Sequence, residues 1–366
     1  MAETNTRPTD ARRRNLMALG ALALLTVVLA ILALMHQARE VAPHYKPQTF
    51  LPHLAAEVRD IAQIRIVSKH GMVDAVFKPE KGWVLANRDN YKVSFEQLRQ
   101  TIVGLAALET IEPKTARADW LHYVDLDAPP KGAGVAITLF DGRGGVLASI
   151  VTGKNEDIGD PSGAVGLFVR RAGSNQTWLT RSVFQPQDDP SEWLDKDVVN
   201  IDLSRIQEAD VDPAGSPSFE VRREKATDAG FNLTNMPKGR QIAYSGAADG
   251  VAGAISGFTF DDVRPARAFD FSDPARVARL VTKTFDGLTV TLQTTRQGAD
   301  YWATISAEGA PGKPLAQKEA REIDARSAGW AYRLPGDKGQ LLMTTLESLL
   351  KPLTPPASPA QTPPAR

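Results

Sequence analysis

The side chains able to do chemistry are few and far apart. His36, His44, His53, His70 and His122 are the only histidines. None has a second histidine four residues on with an intervening glutamate, so the helical zinc-hydrolase arrangement is absent. No Gly-x-Ser-x-Gly elbow occurs, and "GGVLASIVTGKN" (144–155) lacks the spacing and terminal Ser/Thr of a phosphate-cradling loop. There is no cysteine, which removes disulfides, thiolate nucleophiles and zinc ribbons. Two acidic stretches remain. "KNEDIGDPSG" (154–163) offers Glu156, Asp157 and Asp160 as hard oxygen ligands, without the Asp-x-Asp-x-Asp-Gly order of a calcium loop. "QPQDDPSEWLDKD" (185–197) sets Asp188, Asp189, Asp195 and Asp197 around Trp193. Carboxylates beside an aromatic bind sugars or cations, yet Pro186, Pro190 and the Trp-Leu pair also fit a linker docked by Trp193. No local motif assembles a catalytic centre, and the expectation is a protein that is not an enzyme, with no cofactor and no resident metal.

The elements around these residues begin with "RRRNLMALGALALLTVVLAILALM" (12–35), uncharged from Leu16 to Met35. At about 1.5 Å rise per residue such a helix spans roughly the 30 Å of a bilayer core. The run is longer than the apolar region of a cleavable signal and lacks a small-x-small exit, which predicts a retained anchor over 16–35, represented by Leu16, Leu25 and Leu34. Arg12, Arg13 and Arg14 precede it, so the positive-inside rule puts residues 1–15 in the cytoplasm and the rest across the inner membrane, in a periplasm.

The chain balances 43 Lys and Arg against 43 Asp and Glu over 366 residues, with 42% hydrophobic residues. That is globular composition with room for a sizeable core. It carries no electrostatic footprint for nucleic acid, and none is expected as a partner.

Residues 36–57, with Pro43, Pro47 and Pro52, read as a stalk. Residues 353–366, the bulk of "KPLTPPASPAQTPPAR", read as a Pro-rich tail unable to bury a core. Between them the pattern is short alternating strands: "IAQIRIVS" (61–68), "MVDAVFK" (72–78) and "GWVLAN" (82–87). Ser94 and Gln97 form a capping box, Val93 and Leu98 a hydrophobic staple, and Phe95, Leu98, Ile102, Leu105 and Leu108 fall at helical spacing.

The chain also resembles itself. "GWVLAN" (82–87) matches "GFNLTN" (230–235), each preceded by two strands and followed by Tyr91 or Tyr244. From those tyrosines Leu98, Ile102 and Leu105 stand at the same offsets as Val251, Ile255 and Phe258. "GVAITLFDGRGGVLASIVTG" (134–153) and "ARLVTKTFDGLTVTLQTT" (278–295) both read strand, Asp-Gly turn, strand. Later strands carry Trp178 in one and Trp302 in the other. The expected fold is α+β, mostly antiparallel sheets with a few amphipathic helices, in two similar tandem units over 58–200 and 201–352.

The order of these pieces, with "YVDLDAPP" (123–130), "FVRRAGSNQTWLTR" (168–181), "SEWLDKDVVNID" (191–202) and "GWAYRLPGDKGQLLMTTLESLL" (329–350), resembles the bacterial domain of unknown function 4340 family across most of 58–350. The chain departs from it at Val124-Asp125-Leu126-Asp127, where relatives more often carry a Gly-Leu-Asp turn. The resemblance implies a membrane-tethered accessory protein, often encoded beside ABC-transporter parts similar to those of gliding-motility systems. It supplies no catalytic residues.

The expected role is therefore that of a periplasmic protein that acts by contact, with the membrane and a membrane protein such as ABC-transporter subunits as partners. Trp178, Trp193 and Trp330 are candidate contact residues if exposed, and buried anchors otherwise. Two further readings are a ligand or glycan site in the cleft between the units and, behind it, an envelope hydrolase assembled from distant segments.

Overall fold

The computed structural model describes residues 17, 21–22, 24–32 and 45–352. Leu16 and Leu34 of the expected anchor lie outside the described residues, while Leu25 belongs to the helical residues 24–32 and is exposed. Among the described residues no helix is long and apolar enough to cross a membrane.

Two antiparallel sheets hold the chain. The first contains β1 (Gln48–Thr49), β2 (Ile61–Ser68), β3 (Gly71–Lys78), β4 (Gly82–Leu85), β5 (Tyr91–Lys92), β6 (Glu109–Pro113), β7 (Val135–Asp141), β8 (Val146–Glu156), β9 (Val165–Arg171) and β10 (Thr177–Ser182). Their lateral order is β1-β6-β10-β9-β8-β7-β2-β3-β4-β5. The second contains β11 (Ile206–Asp212), β12 (Phe219–Arg222), β13 (Asn232–Leu233), β14 (Asp262–Pro265), β15 (Val277–Thr284), β16 (Leu288–Gln297), β17 (Asp300–Gly309) and β18 (Trp330–Leu334). Their order is β13-β12-β11-β15-β16-β17-β18-β14.

Read from β4 to β6, the first sheet runs 4-3-2-7-8-9-10-6, which matches the second sheet strand for strand. Register agrees as well. The pairing of β2 with β7 slips between Ile61 and Gln63, and that of β11 with β15 slips between Ile206 and Glu208. A short 3-10 turn precedes each first strand, Val58–Asp60 in one and Leu203–Arg205 in the other. The correspondence also moves one residue from the sequence-based pairing. Trp178 lies in β10, whose counterpart is β18, so its opposite number is Tyr332, beside Trp330, and not Trp302 in β17.

Alternation explains the strands. In β2 the buried Ile64 and Ile66 pair with the buried Ala75 and Val73 of β3 and Leu139 and Ile137 of β7, so one face of the pleat is continuously apolar. The helix α1 (Phe95–Ala106) covers this face with Leu98, Thr101 and Leu105. Its Ser94 Oγ accepts the Gln97 amide at 3.3 Å, which is half of the expected capping box. The other half is missing because the Ser94 amide donates instead to the Trp193 carbonyl at 2.9 Å, and the Gln97 side chain turns to Thr101. Gly104 is required by packing: a Cβ there would stand 2.3 Å from the Phe184 ring. The second sheet is covered by α2 (Ala247–Ala252), α3 (Pro314–Ser327) and α4 (Gly336–Leu342), with Ala316, Ala320, Ile323 and Ser327 as the buried stripe of α3.

Residues of both sheets belong to one hydrophobic core. The junction is aromatic. Tyr91 meets Trp330 edge-on at 5.0 Å, Phe260 at 6.1 Å and Tyr332 at 6.3 Å, and Phe260 lies 4.7 Å from Tyr332. A smaller cluster, Leu121, Leu126, Val151, Phe168 and Leu179, occupies the other face of the first sheet. The 3-10 segment Ala118–Val124 that feeds it ends on Asp125 at φ 54°, the left-handed conformation that a Gly at the departing turn would adopt freely and that Asp tolerates.

Candidate interaction surface

Three exposed apolar side chains of the first unit, Phe77, Phe95 and Val103, meet at one groove of about 360 Å³. Strand pairing sets its floor: Phe77 of β3 lies opposite Trp83 of β4, with ring centroids 6.0 Å apart. The first turns of α1 make one wall, through Phe95, Leu98, Ile102 and Val103, and Val58, Arg59 and Ile61 make the other. Phe77 is 47% exposed, Phe95 73% and Val103 52%. Helical periodicity puts Phe95 on the apolar side of α1, but as the first residue of the helix it overhangs the edge of the sheet and faces the groove. The charged residues of the lining are Arg59 and Arg99. Arg99 is held by Glu96 at 2.7 Å, which draws the Glu96 carboxyl below its ordinary value.

The corresponding place in the second sheet is filled. Pairing aligns Ala75 with Val221 and Leu85 with Leu233, hence Phe77 with Arg223 and Trp83 with Phe231. Arg223 is buried, at 6% exposure. Its guanidinium donates to the carbonyls of Leu203, Ser204 and Ile206 at 2.7, 2.7 and 2.8 Å and stacks on Phe231 and Phe285 at 4.7 and 5.6 Å. Those carbonyls belong to the counterparts of Val58, Arg59 and Ile61. Where Phe95 protrudes, the second unit has the buried Ala248. One copy of the site is closed by its own arginine, and the other is open and apolar.

Two polar crevices mark the junction of the sheets. One, about 290 Å³, is lined by Lys81, Tyr91, Lys92, Asp195, Arg326 and Trp330 among others. Lys92 meets Asp195 at 2.6 Å, Arg326 reaches Asp197 at 3.7 Å, and the Tyr91 hydroxyl donates to the Asp195 carbonyl at 2.9 Å. The other, about 620 Å³, contains Arg88, Arg264 and Arg267 with Asp89 and Asp262, and Arg88 bridges the sheets to Asp262 at 2.6 Å. A hollow of about 690 Å³ lies elsewhere, at the β11–β12 turn, among Pro213, Pro217 and Pro274.

The sequence-derived candidates disperse. Trp193 is fully buried, and its indole N–H donates to the Gln187 carbonyl at 2.9 Å, so it presents no contact surface and is the anchor of the linker. Trp178 is half-buried against Tyr45 at 5.7 Å, and Trp330 is half-buried in the junction. The acidic stretches satisfy themselves. Asp157 accepts the Gly159 amide, Asp160 accepts Ser162 and pairs with Arg181, Asp188 lies 2.8 Å from His70 Nδ1, and Asp189 accepts the Ser191 amide. A trio that sequence reasoning missed, Glu208, Asp210 and Glu220, has carboxylate oxygens within 4.8 Å of one another. Lys283 neutralises it at 2.5 Å from Glu208 and 2.8 Å from Asp210, contacts that hold the Lys283 ammonium up at about 12. Period-two alternation of outward charges on β11 and β12 was the available signal.

The fold defines the class: an α+β protein of two antiparallel sheets sharing one strand order. The profile of the DUF4340 family, a domain of unknown function, matches residues 83–280. The chain belongs to that family, and the matched span opens in β4 and closes in β15, so it covers parts of both sheets. No curated protein and no solved structure matches the chain.

Proposed function

We propose that this protein is a membrane-tethered, periplasmic, non-catalytic accessory protein of an ABC-type transport or envelope complex, acting by contact through the groove at Phe77, Trp83 and Phe95. The observation that carries the reading is the difference between the two copies of one site. Exposed Phe77 and Phe95 stand where the other copy has buried Arg223 and Ala248, and a contiguous exposed apolar patch marks a contact site. The uncharged run Leu16–Met35 supports a single-pass inner-membrane anchor with the N-terminus cytoplasmic. Tethering raises the local concentration of the groove near a membrane partner, so modest contacts suffice.

The test is crosslinking from native membranes with three chains: wild type, one with residues 16–35 replaced by an unrelated span, and Phe95→Asp. Recovery of transporter membrane subunits by the first two and loss with Phe95→Asp is the expected result. Equal recovery with Phe95→Asp, or recovery of no transporter subunit by the wild type, overturns the reading.

A second reading, ligand binding at the junction, draws on the 620 Å³ crevice, where Arg264 and Arg267 accompany the Arg88–Asp262 pair. Calorimetric titration of the full chain with uronate and phosphate probes distinguishes it, since heat lost in Arg264→Glu supports a site there.

A further inference from the structure

We infer that the partner segment entering the groove is an apolar helix carrying a carboxylate on its polar edge. This deepens the contact role proposed above and rests on it.

Shape comes first. The groove is an open trough between the edge of a sheet and the start of α1, floored by two aromatic rings and walled by aliphatic side chains. Such troughs receive the apolar face of an amphipathic helix, with anchors one and two turns apart. The repeat supplies the second argument. In the closed copy a cation, Arg223, enters from within and is held by three backbone carbonyls. In the open copy Phe77 replaces it, so the site has exchanged a buried cation for aromatic surface, and the floor that remains suits apolar side chains.

Charge decides what flanks those side chains. The ionisable groups of the lining are both arginines. Arg99 is engaged by Glu96, whereas Arg59 is exposed and has no ion pair or side-chain hydrogen bond among the described residues. A cation left unpaired beside an apolar trough favours an incoming carboxylate and disfavours lysine or arginine, which sets partner choice more than raw affinity.

The experiment uses the full chain in lipid nanodiscs and two fluorescein-labelled Leu/Ala amphipathic helices, alike except that one carries glutamate and the other lysine along the polar edge. Fluorescence anisotropy is expected to show the glutamate helix binding several-fold tighter, the size of preference that an exposed charge pair supports. Arg59→Glu, a substitution at an exposed position, is expected to reverse the order, and Phe95→Asp to abolish both. Circular dichroism melts of the two variants check that each folds. Equal binding of the two helices, an unchanged order in Arg59→Glu, binding that survives Phe95→Asp, or no binding of either helix overturns the inference. Displacement of neither helix but saturation by oleate alone would assign the trough to an acyl chain, and overturns it too. If crosslinking to transporter subunits depends on Phe95 while the helices show no charge preference, the contact role stands and only the carboxylate is wrong.

Discussion

Tyr91 and Trp330 meet edge-on at 5.0 Å across the junction of the two sheets, while the Tyr91 hydroxyl donates to the Asp195 carbonyl at 2.9 Å. A ring from β5 thus enters the aromatic cluster of the second sheet, and its polar end is tied to the linker that follows Trp193. Burial pushes the Tyr91 phenol far above its ordinary range, and burial raises Tyr332 as well.

Tyr91→Phe removes only the hydroxyl and leaves a part-buried carbonyl short of a donor, at a cost of about 0.5–1.5 kcal/mol. Tyr91→Ala also empties a ring-sized space and costs about 3–5 kcal/mol. Urea unfolding measures both. The raised phenol implies a sign. The folded state keeps Tyr91 neutral while the unfolded chain ionises above its ordinary value of 10.0, so stability is complete below pH 10 and falls as the pH rises further. Tyr91→Phe should flatten that alkaline loss in melts taken between neutral and alkaline pH.

Exchanging the two copies of the site tests their correspondence. Arg223→Met strips donors from three carbonyls and should destabilise by at least about 2 kcal/mol, since charged hydrogen bonds are the stronger ones. Phe77→Arg places the closing residue in the open copy. Thermal stability there should change by less than about 1 kcal/mol, because Phe77 is only half-buried, and helix binding in the groove should be lost.

Lys283 holds the Glu208 and Asp210 carboxylates together, and the effect of its removal should be pH-dependent. Lys283→Met is expected to lower the melting temperature by about 1–2 °C near pH 8, the scale of a 1 kcal/mol change in a chain of this size. Acid that neutralises carboxylates should shrink the deficit. In the wild type the ammonium, held at about 12, stabilises fully below its ordinary 10.5 and loses that contribution as the pH climbs to about 12. Differential scanning calorimetry across pH reads all three effects.

Asp125 sits at φ 54°. Asp125→Gly should be neutral or stabilise by up to about 1 kcal/mol by relieving the left-handed strain, whereas Asp125→Val, β-branched at the same φ, should cost about 1–2 kcal/mol. Chemical unfolding of the two variants orders them.

Strands and their repetition were readable because period-two alternation and the Asp-Gly turns survive in both copies: β2, β3 and β4 with β7 and β8 lie where the residue pattern puts them, and so do β11, β12, β15 and β16. The open groove was not readable. Apolar spacing in α1 says that Phe95 shares a side with Leu98, but not that this side runs past the edge of the sheet. Trp193 and Phe95 look alike as isolated aromatics, and only tertiary packing buries the first and exposes the second. The Arg88–Asp262 bridge joins residues from different sheets, a pairing that no local window contains. The equation of Trp178 with Trp302 failed for a related reason, since lateral strand order is set by register and not by sequence spacing.

β1 consists of two residues, Gln48 and Thr49, paired to Thr110 and Glu109 at the outermost edge of the first sheet, while the groove lies on β3 and β4 near the opposite edge. Tension applied at residue 45 loads first that two-residue rung, the Tyr45–Thr110 hydrogen bond at 2.8 Å and the ring of Trp178. Peeling the rung pays out about 3.3 Å of chain per residue while β2, β3 and β4 stay paired. The rung nearest the N-terminal side of the described fold is thus its shortest, and it stands at the edge of the sheet far from the groove.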